Sequence, residues 1–390
     1  MRVLHVTPSF YPAWAYGGIP RCTYELCRSL ARLGVEVTVW TTDALDETRR
    51  VTTRESVVDG VRVRYFPNAS NELAYHRQLY LPRELWTHAG RHIGDFDLVH
   101  VHSHRHLLEA IAARAARRAG RPYVFTGHGT VPAIERYVPV KRLIDALGFR
   151  SVLTHAAACI AVSGAETVHY RDAGVADERI TVIPNGLPLD FFRGPFTRGV
   201  FRRTYELGNG PLVVFVGKIT PRKGLDVLVR ALAQLSAGVR LAVVGNFMMP
   251  EEPLRQLVAS LGLTDRVRFA GLLVEEEKLA AYVDADVVAY PSVDEIFGLV
   301  PAEALMCGAP VVVCDDSGCG EVVSAAGGGL LVRYGDVDGL ANAFRTLLGD
   351  DALRRRCVAS GRRYVEQHLG WDHIAGETRA LYARLRQPSP

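Results

Sequence analysis

Lysine is nearly absent from this 390-residue sequence: of 46 basic side chains, only Lys141, Lys218, Lys223 and Lys278 are not arginine. Two of the four, Lys218 and Lys223, stand in one short stretch and so attract notice. No apolar run reaches the roughly 18 residues that a spanning helix needs, and the N-terminus MRVLHVTPSFYP reads as a buried strand rather than a signal peptide. The expectation is a cytoplasmic chain. The seven cysteines (Cys22, Cys27, Cys159, Cys307, Cys314, Cys319, Cys357) are odd in number and scattered without a CxxC pair, which argues against a disulfide framework or a zinc site and for reduced, packed thiols. There is no GxxxxGK[ST] loop, no GxSxG elbow, and no GxGxxG after an opening strand, so kinase, hydrolase and dehydrogenase readings lose their usual supports.

What is present is an ordinary globular balance, 48% hydrophobic and 23% charged, in a chain about twice the length of a usual domain. Net charge is +4, too small to indicate nucleic acid. The excess sits in the first half, where residues 77–150 hold 12 basic against 6 acidic side chains. The strand RVLHVT, a Gly/Pro/aromatic loop, a helical pattern from Arg21 to Leu33 and the strand EVTVWT form a β-loop-α-β unit. The grammar recurs in FDLVHVH, LLEAIAARAARRAG and PYVFTGHG, then in CIAVS and ITVIPNG. The second half repeats it with PLVVFVG, RLAVVG, VRFAGL, DVVAYPS and PVVVCDD, Val-rich runs of the kind that strands buried on both faces show. The expectation is α/β: two Rossmann-like doubly wound domains facing across a cleft. The first would span 1–190 and the second 209–365, with 191–208 as linker and 366–390 as a C-terminal segment. Ligands of such sheets sit outside the carboxyl ends of the strands, so the loops after strands carry the interest.

The segment DVVAYPSVDEIFGLVPAEALMCGAPVVV is the most informative. Glu295 and Glu303 lie eight residues apart around Gly298, which opens a helix, placing one carboxylate at the helix mouth and the other on the same face two turns down. Backbone N–H groups near Phe297, Gly298 and Leu299 then make an anion site, with the carboxylates free for sugar hydroxyls. The plain alternative is a capped helix with two solvated glutamates. In VGKITPRKGLD, Lys218 follows a strand end and Lys223 precedes a helix start, so both ammonium groups can reach one point and hold a diphosphate; the alternative is a pair of surface lysines. Gly17 and Gly18 follow the first strand, where a missing Cβ permits close approach of a ligand. His128, past the strand in YVFTGHGT, can hydrogen-bond a sugar hydroxyl or phosphate, or be structural. His100, His102, His104 and His106 suggest a metal, but the strand should end near Ser103 and spoil their common face.

VGKITPRKG, PSVDEIFGLVPAEALMCGAPVVV, VIPNG and the N-terminal strand with its GG loop together resemble the retaining glycosyltransferases of family 4, which have the GT-B fold. The likeness runs from Met1 to about Tyr382. It implies an acceptor bound mainly by the first domain, a nucleotide-diphosphate sugar as co-substrate on the second, and a C-terminal helix, WDHIAGETRALYARL, crossing back to the first domain. Position by position, Glu295 would bind donor-sugar hydroxyls, Glu303 the ribose, Phe297 to Leu299 the sugar and phosphate, and Lys218 and Lys223 the diphosphate. Gly17 and Gly18 would approach the donor from the other domain and His128 would contact the transferring sugar, making His128, Glu295, Lys218 and Lys223 the expected catalytic set. No essential metal or resident cofactor is expected, because the lysines supply the cations and the sequence is read as lacking an Asp-x-Asp triplet. The acceptor is expected to be a glycan or a lipid-linked glycan in cell-surface polysaccharide or glycolipid biosynthesis. An anionic membrane surface is a further candidate partner, through the stripe Val138, Val140, Leu143, Ile144, Leu147 and Phe149 beside Lys141, Arg142 and Arg150; the alternative is a helix packed on its own domain with a solvated basic edge. Rival readings are a nucleotide-sugar epimerase, a glycogen-synthase-like polymerase, or a sugar-binding protein without catalysis.

Overall fold

The computed structural model describes residues 1–134 and 137–386. Residues 387–390, the end of the expected C-terminal segment, lie outside the described residues. The chain divides into two compact units, one formed by Met1–Gly186 with the segment from Trp371, the other by Leu187–Gly370.

The first unit is built on an eight-stranded sheet of β1 (Arg2–Val6), β2 (Glu36–Thr42), β3 (Glu55–Val58), β4 (Val61–Phe66), β5 (Leu98–His102), β6 (Tyr123–Thr126), β7 (Ala158–Ala161) and β8 (Ile180–Val182). Its order is β3-β4-β2-β1-β5-β6-β7-β8. All pairs are parallel except β3 with β4, an antiparallel hairpin turned at Asp59-Gly60 with both residues at positive φ. The chain lays β2 on one side of β1 and then returns to place β5 on the other, so the sheet's switch point lies between β1 and β5. Leu4, Val6, Val99, Val101 and Phe125 are buried among the covering helices, as an all-round apolar strand requires. The helix Trp371–Arg386 belongs to this unit. Arg379 donates to the Leu33 carbonyl at 2.9 Å, and the Tyr382 hydroxyl meets His100 Nδ1 at 2.5 Å in the core.

The second unit has six parallel strands, β9 (Leu212–Val216), β10 (Arg240–Val244), β11 (Val267–Gly271), β12 (Val287–Tyr290), β13 (Val311–Cys314) and β14 (Gly329–Val332), in the order β11-β10-β9-β12-β13-β14. Here the switch point falls between β9 and β12. Residues 191–208 are anchored rather than loose: the Asp284 carboxylate accepts from the backbone N–H of Gly199 and, at 2.9 Å, of Arg202, at the start of the short helix Val200–Thr204. The helix Asp351–His368 also packs in this unit, so residues 366–370 stay with it and only the helix from Trp371 joins the first. All seven cysteines are free and buried. Among the described residues, no helix is long and apolar enough to cross a membrane.

Candidate active site

In the second unit the loops that leave β9 and β12, the two strands flanking the switch point, are fastened to each other. Val293 N–H donates to the Arg222 carbonyl at 2.9 Å, and the Arg222 guanidinium donates to the Asp294 carbonyl at 2.6 Å. Gly224 stands at φ +63, where a Cβ would lie 2.4 Å from the Pro291 carbonyl oxygen, so the two loops pass at a separation only glycine permits.

This junction delivers Lys223 to Glu295. The ammonium pairs with Glu295 Oε2 and donates to the Tyr290 hydroxyl at 2.6 Å while lying 4.5 Å from that ring's centroid. Tyr290 and Ser292 donate to the same carboxylate oxygen at 3.1 and 3.2 Å. Three partners therefore converge on Oε2, and Oε1 accepts from none of the described residues. An ammonium has three N–H bonds, and this one has spent two, leaving one for a ligand. Burial first, and then the Glu295 charge, raise the Tyr290 phenol well above its ordinary value, so it remains a hydrogen-bond donor.

Beyond Glu295 the helix Leu299–Cys307 begins at Gly298. Gly298 has φ +62, and a Cβ there would meet Cys319 Sγ at 2.3 Å. Cys319 in turn donates to the Phe297 carbonyl at 3.0 Å. The first N–H groups of this helix have no intrahelical acceptor, and the helix dipole adds positive potential beside Lys223 and the open oxygen of Glu295. The arrangement suits an anion with hydroxyl-bearing arms.

Glu303 and Lys218 differ from Glu295 and Lys223 in their partners. Glu303 lies along the same helix, where Lys278 pairs with it at 3.1 Å and the Tyr282 hydroxyl donates to it at 2.7 Å. It is thus neither a solvated glutamate nor a free one. Lys218 is exposed and has no partner among the described residues, whereas Lys223 is already paired. Lys278, Tyr282, Tyr290 and Ser292, which hold the two candidate glutamates, are contacts that sequence reasoning missed. The rarity of lysine was a usable signal for Lys278; the hydroxyls carried none.

In the first unit Gly17 has φ +101 and forms the N-terminal cap of the helix Gly18–Arg32. A Cβ on Gly17's neighbour, Gly18, would meet nothing within 4 Å. Gly17 is therefore required by the backbone, and Gly18 leaves open space over a helix N-terminus. His128 follows β6 at φ +51, a left-handed conformation that is costly for histidine and that surrounding contacts must enforce. Glu166 supplies them: its carboxylate accepts from Gly129 N–H and Val162 N–H, both at 2.7 Å. Burial raises the Glu166 carboxyl to about 7, against the pull of these two donors. Burial also lowers His128 to about 4, so its imidazole is neutral at pH 7.

The histidine run separates as the strand ends. His100 and His102 share a face of β5 with His5 of β1 in register, so the expected loss of a common face applies only to the later two. His104 turns away to Asp145 at 3.0 Å, and His106 packs its ring 5.3 Å from Tyr80. Contrary to the expectation of no Asp-x-Asp triplet, a common metal pattern, the sequence holds three, and all have structural partners. Asp284 and Asp286 hold Gly199 and Arg202, Asp97 accepts from Arg2 N–H beside Asp95, which faces His92, and Asp336 caps a helix while Asp338 accepts from Gln234.

The expected stripe at 138–149 is interrupted. A helix runs from Val138 to Ile144, and the chain kinks at Gly148, φ +110, before Arg150–Thr154. Val140, Leu143 and Leu147 are 52, 59 and 73% exposed, but Val138, Ile144 and Phe149 are half-buried. Arg150 is committed to the Asp172 and Ala173 carbonyls at the end of the helix Gly164–Asp172.

Comparison with known proteins accounts for both units. Residues 16–191 match the family model described as "Glycosyltransferase Family 4", and residues 200–364 match "Glycosyl transferases group 1". A D-inositol 3-phosphate glycosyltransferase of Xylanimonas cellulosilytica is 34% identical, covering 100% of this chain and 97% of its own. One of Frankia alni is 32% identical, covering 99% of each. Among solved structures, sucrose-phosphate synthase from Thermosynechococcus elongatus superposes with a TM-score of 0.74 at 24% identity over 98% of each chain. Anabaena HepE in complex with UDP-glucose gives 0.73 at 23% identity over 98% of this chain and 100% of its own. With two parallel-sheet units of the GT-B type and relatives matched over their whole length, the chain belongs to the family 4 glycosyltransferases.

Proposed function

We propose that the protein moves a hexosyl group from a nucleotide-diphosphate sugar to a hydroxyl acceptor with retention of anomeric configuration and without an essential metal. The observation that carries this reading is the pairing of Lys223 with Glu295 at the mouth of the helix opened by Gly298. One free N–H of Lys223, the exposed ammonium of Lys218 and the helix N-terminus together neutralise the diphosphate. The open Oε1 of Glu295 takes hydroxyls of the transferred sugar. In the transfer step the bond between the anomeric carbon and the phosphate oxygen breaks, with its electron pair going to the diphosphate. The acceptor oxygen bonds to the same face of that carbon and gives its proton to the departing phosphate oxygen. Fixed positive charge on the leaving group is what this step needs, and it is strengthened in a site from which water is excluded.

The names of the relatives support a phosphorylated polyol as acceptor, and the basic excess of residues 77–150 fits such an anion. A lipid-linked glycan is the second reading, favoured by the exposed Val140, Leu143 and Leu147 beside Arg142. Both are separable from donor choice, which thermal unfolding resolves. UDP, GDP and ADP sugars are compared, and the true donor at 100 times its dissociation constant raises stability by about 2.7 kcal/mol. Absence of stabilisation by every nucleotide sugar would remove the reading.

A further inference from the structure

His5, His102 and His128 form a continuous line of imidazoles. His5 Nδ1 lies 2.9 Å from His102 Nε2, and His102 Nδ1 lies 3.1 Å from His128 Nε2. The rings are nearly parallel, 15° between the first two and 19° between the second two. At the ends, His5 Nε2 and His128 Nδ1 are both shielded and have no hydrogen-bond partner among the described residues. His5, His100 and His102 also present ring nitrogens within 4.8 Å of one another, the spacing of a three-histidine metal site. That use competes with the bonds already made. Both His100 nitrogens are engaged, by Tyr382 Oη at 2.5 Å and Thr126 Oγ1 at 2.7 Å, and among the described residues no carboxylate joins the group to balance a cation.

Burial keeps each of these rings neutral, His5 falling to about 3 and His128 to about 4, with His102 well below its ordinary value. A neutral imidazole carries one N–H, so each ring in the line donates once and accepts once. Two directions satisfy both bonds. In one, His5 donates to His102 and His102 to His128, leaving a bare nitrogen on His5 and an N–H on His128 Nδ1. In the other the ends are exchanged. A shielded N–H without an acceptor is the rarer and costlier orphan. His5 is fully buried, whereas His128 is partly exposed on its loop. His128 Nδ1 is shielded as well, but its ring is partly exposed and a ligand oxygen can complete an N–H there, whereas nothing can do so at fully buried His5, so the bare nitrogen is assigned to His5 and the N–H to His128.

We propose that His5 and His102 are positioning residues which, as a one-way hydrogen-bond relay, fix the tautomer of His128 with its proton on Nδ1. This rests on the reading of His128 as the residue that touches the transferred sugar: with Nε2 spent on His102, the Nδ1–H is the only hydrogen bond the ring has left to give a substrate oxygen. His102 and His5 then act on the reaction solely through that proton.

Long-range ¹H–¹⁵N correlation on the full chain labelled with ¹⁵N-histidine reads the tautomer directly. The relay predicts a protonated Nδ1 and a bare Nε2 for His128 and for His102. In His102→Phe, His128 loses the preference and gains Nε2–H, whereas in His102→Asn the carboxamide donates in place of Nδ1 and Nδ1–H is kept. Transfer falls about tenfold or more in His102→Phe, in kcat with donor affinity unchanged, and recovers in His102→Asn. An Nε2–H on His128 in the unsubstituted protein, or an unchanged Nδ1–H in His102→Phe, overturns the relay. Should His102→Phe not fold, the unsubstituted tautomer still decides. If His128→Ala keeps full transfer activity, the reading of His128 falls, while the tautomer measurement judges the relay independently.

Discussion

Lys223 and Glu295 are 72 residues apart in sequence and form an ion pair in which the same carboxylate oxygen also receives Tyr290 and Ser292. The pair exists because β9 and β12 are sheet neighbours at a switch point and both send their following loops off the same edge. A ligand taken up there meets an ammonium already oriented, so little ordering remains to be done during binding.

Removing either partner should leave the fold and remove most transfer. Lys223→Ala and Glu295→Ala are each expected to lower kcat by about 100-fold or more, the usual loss for an oriented charge at a developing anion. Because the two act as one unit, the double variant should be little worse than the singles, a coupling that a double-mutant cycle measures.

Gly298→Ala tests whether the helix mouth needs its glycine. The backbone conformation alone costs alanine about 1 to 3 kcal/mol, and the new methyl collides with Cys319 Sγ. The variant should unfold at lower denaturant and lose activity, and Cys319→Ala introduced with it should recover part of the stability but not the strain at φ +62.

Acid should unfold the first unit before the second. Twelve of the thirteen histidines belong to the first unit, and burial lowers His5, His88, His100, His102, His106 and His128. A histidine whose folded value is lowered binds its proton more readily when unfolded, so stability falls as pH drops below about 6.5 until the folded value is reached. Each such group contributes up to about 1.4 kcal/mol per pH unit. Hydrogen exchange followed from pH 7 to 4.5 should show protection lost in β1, β5 and β6 while β9 and β12 retain theirs.

Six of the first unit's eight strands, five of the second's six and the two loops that carry Lys223, Glu295 and Gly298 were legible in the sequence, since Val-rich runs bounded by glycine have few other solutions in a chain of this length; β14, the edge strand GLLV, was not. The β3–β4 hairpin was legible too, in Asp59-Gly60 between alternating residues, but attention to repeated β-α units passes over it. Ser163 and Glu166 have the spacing of a capping box, which explains Ser163 as a cap at 3.2 Å from Glu166 N–H. It gives no hint that the Glu166 carboxylate reaches Gly129 and holds the His128 loop. The partner of Lys278 and Tyr282 was illegible for the same kind of reason, since it is set by which helices pack side by side, and the partners of Tyr290 by which loops meet at the sheet edge. The stripe at 138–149 shows the opposite error, a periodic pattern continued through Gly148, where the backbone turns.

The exposed Val140, Leu143 and Leu147 should give weak, salt-sensitive binding to vesicles of anionic lipid if the acceptor is carried in a membrane. Co-sedimentation at low salt checks this, with Leu143→Glu/Leu147→Glu expected to abolish it. Equal sedimentation of that variant would assign the binding to bulk charge instead.

The proposed activity is acceptor-dependent transfer from a nucleotide-diphosphate sugar at the Lys223–Glu295 site. The direct measurement is release of nucleoside diphosphate by the purified chain in excess EDTA, with D-inositol 3-phosphate and lipid-linked glycans supplied as acceptors and the product's anomeric configuration read by NMR. Transfer at this site gives release that requires acceptor, a product of retained configuration, and loss of both in Glu295→Ala. Release unaffected by Glu295→Ala, inverted product, or activity that returns only with added divalent metal would contradict it.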